Sequence, residues 1–126
     1  MTVEQRAQQF WSVLVLAARE QKVISYSMMS HMTGMPKQCG NVLYYIYCYC
    51  KQHDLPLLNL LVINQATGRP GDDCPGDLTD LHGQQSRVFI YDWFSHSAPS
   101  DQLFKEAHAK ERLEKQNQKA AAGTHS

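Results

Sequence analysis

The sequence predicts an α+β fold: a three-helix winged-helix-like core with a two-stranded antiparallel wing and a C-terminal helix. Three observations predict it. Residues 3–53 hold three segments with helical spacing of apolar residues, the first two separated by the extended Val23–Ile24 and the last two by Gly34 and Pro36. Two β-branched and aromatic runs follow at 57–64 and 87–93, with turn residues between them. After Pro99 a helical pattern returns and becomes almost wholly polar. A length of 126 residues is one domain, divided into a winged-helix-like unit over 1–98, a helix packed on it over 99–118 and a flexible tail over 119–126.

The first helix spans about 3–21, with Thr2 and Gln5 in capping-box spacing. Phe10, Val13, Leu14, Ala17 and Gln21 form one stripe, and Trp11, Val15 and Ala18 form a second. So wide an apolar surface implies burial against more than one neighbour. Val23 and Ile24 are extended, and Ser25 or Ser27 caps a second helix that ends at Gly34 with Pro36 just beyond. The third helix begins near Pro36 and carries Cys39, Val42, Leu43, Ile46 and Cys50 at i, i+3, i+4, i+7 and i+11. It stops near His53, because Leu55 precedes Pro56.

"LLNLLVIN" (57–64) predicts a strand, and "QATGRPGDD" after it is turn chemistry. "RVFIYDW" (87–93) predicts the second strand, paired antiparallel with the first across an unusually long loop. The last helix starts at Pro99 or Ser100 and turns Leu103, Phe104 and Ala107 inward, with Glu106/Lys110 and Glu111/Lys115 in i,i+4 spacing.

Twelve basic residues balance twelve acidic ones, for a formal charge of +0. Nucleic-acid contact therefore needs a local patch, not the field of the whole molecule. No apolar run is long enough to span a membrane and no basic segment precedes Val13–Ala18, which predicts a soluble, cytoplasmic protein without membrane contact. Cys48 and Cys50 would lie roughly 200° apart around a helix, so they cannot share one ion. Together with Cys39 and Cys74 they are expected to be free, packed thiols.

"ISYSMMSHMTGMPKQCGNVL" (24–43) resembles the C-terminal DNA-binding domain of the O6-alkylguanine-DNA alkyltransferases and alkyltransferase-like proteins. Tyr26 stands at the family's helix-opening Tyr, Gly34 at the inter-helix turn, and Lys37–Gly40 ("KQCG") where an Arg-Ala-Val-Gly motif would fall. The similarity covers about residues 10–71. It implies a winged helix-turn-helix in which Tyr26 presses on a phosphate and Lys37 replaces an Arg inserted into the duplex. The family's Pro-Cys-His-Arg acceptor motif does not survive. With Val62, Ile63 and Gly68 matched to its end, the Cys, His and Arg positions become Asn59, Leu60 and Leu61. Without thiolate or activating His, alkyl transfer is excluded on this alignment. A second resemblance, through "LPLLNLLVINQATGRPGDD" (55–73) and "IYDWFSHSAPSDQLF" (90–104), is to small uncharacterised bacterial or phage proteins associated with restriction. It implies prokaryotic or phage origin.

Two functions follow. One is a non-enzymatic protein that binds double-stranded DNA, sensing modified or flipped bases in an alkyltransferase-like manner. Tyr26, Ser27, Lys37, Gln38, Asn41, Tyr45 and Lys51 are its contacts, since amides, tyrosines and lysines read or stack on bases. The alternative is a phage- or plasmid-type module that binds a host or defence-system protein through a tyrosine-rich helix face. Its contacts are Tyr44, Tyr49, Tyr91 and Trp93. Neither needs a cofactor. Asp72, Asp73, Asp77 and Asp80 lie near Cys74 and His82, but their spacing matches no calcium or zinc pattern, so no metal is expected. Asp92, Ser95 and His96 crowd at a helix start, where capping explains them better than a catalytic triad.

Overall fold

The computed structural model describes residues 1–35, 39–71, 74–76 and 78–123. The long first helix, α1 (Val3–Arg19), begins with the capping box its sequence predicts: Gln5 N–H donates to the Thr2 hydroxyl, and Thr2 N–H to the Gln5 side chain. The stripe of Trp11, Val15 and Ala18 is buried whole, whereas Val13 and Ala17 of the other are half-buried and Gln21 lies past the helix end. Ala7, Phe10, Trp11, Leu14, Val15 and Ala18 are buried, and the Trp11 ring meets Tyr49, Trp93 and Phe104 edge-on, with centroids 5.5, 5.5 and 6.1 Å away.

A two-residue strand, β1 (Ile24–Ser25), leads into α2 (Tyr26–Thr33). Ser25 is the cap, its hydroxyl accepting from Met28 N–H at 3.1 Å. Gly34 ends the helix at φ +72°, a left-handed conformation that costs a residue with a Cβ about 1 kcal/mol. From α1, Arg6 donates to the Thr33 carbonyl at 2.6 Å and so satisfies the last turn. Next comes α3 (Gly40–Gln52), which buries Val42, Leu43, Ile46, Cys48, Tyr49 and Cys50.

No antiparallel wing forms. Residues 57–64 are not one strand but a 3₁₀ turn (Leu58–Leu61) followed by a two-residue strand, β2 (Val62–Ile63). Leu58, Asn59, Leu60 and Leu61 are all buried, whereas a strand with one face in water buries every second residue. The pairing is parallel, Ile24 with Val62 and Ser25 with Ile63. Parallel strands need a crossover, and α2 and α3 supply it. Residues 87–93 are not a strand either. They divide between a helix, α4 (Leu81–Ile90), and a 3₁₀ turn at Trp93–Ser95.

The reason lies upstream of the β-like run. Leu81, Gln85 and Val88 are buried at i, i+4 and i+7, and the Gln85 amide donates to the Leu60 carbonyl at 2.9 Å. A polar residue that bonds a backbone carbonyl thus completes the inward stripe, and apolar periodicity does not register it. Trp93 then folds back, its indole N–H donating to the Val88 carbonyl at 2.8 Å. The fold is therefore predominantly helical, which corrects the expected α+β winged-helix class.

The final helix, α5 (Asp101–Gly123), starts where expected, with the Ser100 hydroxyl accepting from Leu103 N–H. It stays helical past the predicted end at 118, through residue 123. Phe104 and Ala107 face inward as predicted, but Leu103 is exposed and Glu111 takes the third inward position. α5 lies on α3 and α1.

Candidate interaction surfaces

The solvent side of α3 was expected to carry the function, and α5 covers most of it. Tyr45 stacks on His108 with centroids 4.1 Å apart and planes 5° from parallel. Burial pushes the His108 pKa down, and Arg112 pushes it the same way. Tyr44 accepts from the Lys115 ammonium at 2.6 Å, and that ammonium sits 4.9 Å from the Tyr44 ring centroid. Lys51 pairs with Glu111 at 2.7 Å, which raises the lysine pKa, and lies 5.9 Å from the Tyr47 ring centroid. The expected Glu111/Lys115 pair along α5 is thus replaced by two contacts to α3. Glu111 is 2% exposed, and its second carboxylate oxygen is buried without a hydrogen-bond partner.

Tyr49 and Trp93, assigned above to a partner surface, belong instead to the core. Tyr49 stacks on His53, bonds His96 at 3.0 Å and is buried. Trp93 is buried against Trp11. Tyr91 is half-buried, its ring 4.6 Å from that of Trp93. Large aromatic side chains suit a core and an interface equally, so composition alone does not separate the two.

Of the expected DNA contacts, Ser27 and Asn41 are exposed. Tyr26 is half-buried, its hydroxyl accepting from Gly71 N–H at 3.0 Å, which ties the start of α2 to the loop after β2. Lys37 and Gln38 lie outside the described residues, as do Asp72, Asp73 and Asp77 of the acidic loop. Among the described residues no three His, Cys, Asp or Glu side chains gather as a metal site. Ser95 donates to the Asp92 carbonyl, and His96 bonds Tyr49, so the three do not form a relay.

The four cysteines are free. Burial pushes the Cys48 and Cys50 thiols up to about 12, so neither is a nucleophile at neutral pH.

The open apolar surface lies elsewhere, around the C-terminal half of α1. Leu16, Val23, Met28 and Met32 are between 41% and 55% exposed. Leu16, Val23 and Met32 join Val13, Ala17 and Ile24 in lining a groove of about 240 Å³. On the other side of α1, Ile90 and Phe94 are 80% and 63% exposed beside a polar cavity of about 440 Å³. "YDWF" (91–94) hinted at this region, but the residue it turns outward is Phe94, not Trp93.

These features define a small helical domain in which α1, α3 and α5 pack on one another. No protein-family model, curated protein or solved structure matches the chain. Among the described residues no helix is long and apolar enough to cross a membrane.

Proposed function

We propose that this protein is a non-enzymatic protein-interaction module whose contact surface is the apolar groove between α1 and α2. One observation carries the proposal: Leu16, Val23 and Met32 stand open around a single groove, while the tyrosine face of α3 is engaged by α5. Exposed apolar clusters of this kind mark contact sites, and methionine adapts to the shape of a partner. The zero net charge supports a protein partner over a polyanion. The groove suits an amphipathic helix that presents an apolar side chain between Leu16 and Met32.

Replacing Leu16 or Met32 by Glu is expected to abolish capture of a partner while thermal unfolding stays unchanged, since both side chains are about half exposed. Identical captured proteins with wild type and both variants would refute the groove.

A second proposal is alkyltransferase-like DNA binding. It is supported by the Ser25-capped α2, the left-handed Gly34 turn and the exposed Ser27 and Asn41 at the starts of α2 and α3. Duplex anisotropy at two salt concentrations tests it. Salt-sensitive binding lost in Asn41→Ala would favour DNA, and no binding at low salt would remove this function.

A further inference from the structure

We propose that the cavity at the C-terminal end of α1 binds a free α-amino acid with an apolar or aromatic side chain, held by its two charges between Arg19 and Asp92. The cavity, of about 440 Å³, is within the range of small-molecule sites. Arg19 and Asp92 both line it. The ion pair found among the described residues is Lys51–Glu111, so these two opposite charges share one cavity without neutralising each other.

The guanidinium of Arg19 lies 5.2 Å from the Phe94 ring centroid. Stacking on an aromatic face leaves a guanidinium's edge N–H groups free for a carboxylate, which they bind through two parallel hydrogen bonds. The Asp92 carboxylate accepts from an ammonium. Val15, Phe89 and Ile90 are the aliphatic and phenyl members of an otherwise polar lining, and the ligand's side chain rests beside them.

Ligands with other charge patterns fit less well. A simple anion meets Asp92, a simple cation meets Arg19, and a neutral apolar molecule dehydrates both charges without compensation. A compact zwitterion satisfies the two together. Trp93, which is among the lining residues, has its indole N–H fixed on the Val88 carbonyl at 2.8 Å. Gln21, also among the lining residues, holds a left-handed φ of +56°, a conformation uncommon outside glycine.

The test is a titration with L-phenylalanine, followed through the Trp93 indole N–H in nitrogen–proton correlation spectra. N-acetyl-L-phenylalanine lacks the ammonium and L-phenylalaninamide lacks the carboxylate. Saturable shifts with L-phenylalanine are expected, weakened at least tenfold for each blocked compound. The same loss is expected in Arg19→Gln and Asp92→Asn, whose exposed side chains leave folding unaffected. Unshifted spectra at about 10 mM amino acid, an affinity too weak to count as a site, would overturn the proposal. So would equal binding of the blocked compounds, which would show that the ring alone is held.

Discussion

Removing either partner of the Lys51–Glu111 pair breaks the same 2.7 Å contact, yet the two losses are predicted to differ in size. Lys51 is 45% exposed and Glu111 is 2% exposed. In Lys51→Met the carboxylate stays buried with neither oxygen paired. Stranding a buried charge costs about 3–5 kcal/mol. Rearrangement of the neighbouring Lys115, which already contacts Tyr44 from the same helix, reduces this to about 2 kcal/mol, near the cost of one hydrogen bond to a charged group. In Glu111→Met the ammonium turns to water, and an apolar side chain of similar length fills the site. That exchange is predicted to be neutral within about 1 kcal/mol. Urea unfolding of the two variants, with the double variant to close the cycle, measures the difference. Lys51→Met should also melt about 8 °C below wild type. A larger loss in Glu111→Met than in Lys51→Met would show that attraction across the pair outweighs desolvation of the carboxylate, and would refute the reasoning.

Other outcomes follow from the same contacts. Burial lowers the His108 pKa from its ordinary 6.5, so in acid the unfolded chain takes up the proton before the folded one. The stability this provides is present above pH 6.5 and lost as pH falls below it; melting profiles of His108→Phe should be flatter than wild type between pH 7 and pH 5. Trp93→Phe removes the donor to the Val88 carbonyl and leaves that buried group unpaired, at a cost of about 1–3 kcal/mol in chemical denaturation. Cys48 and Cys50, with thiols pushed up to about 12, should resist iodoacetamide in the native protein at pH 8 and react on unfolding. Rapid native labelling, followed by peptide mapping, would contradict their burial.

The sequence by itself determined the features that depend on neighbours within a few residues. The Thr2–Gln5 box and the Gly34 stop need one turn of chain and are found where the spacing places them, and the structure selects Ser25 over Ser27 and Ser100 over Pro99 from the pairs the spacing left open. The stripe of Trp11, Val15 and Ala18 is buried as its spacing predicts, while of the other stripe Phe10 and Leu14 are buried, Val13 and Ala17 are half-buried and Gln21 lies beyond the helix. Tertiary structure decided the rest. Whether 87–93 is strand or helix depends on Gln85, whose amide earns an inward place only because the Leu60 carbonyl stands opposite. The direction of the β1–β2 pair depends on which segments meet, and no local signal encodes that. The tyrosines of α3 look like a binding face until α5 is laid over them, and Glu111, expected to pair with Lys115 along its own helix, becomes the buried half of an ion pair 60 residues away. Spacing along a chain sets which residues share a helix face; packing of another helix decides whether that face meets water.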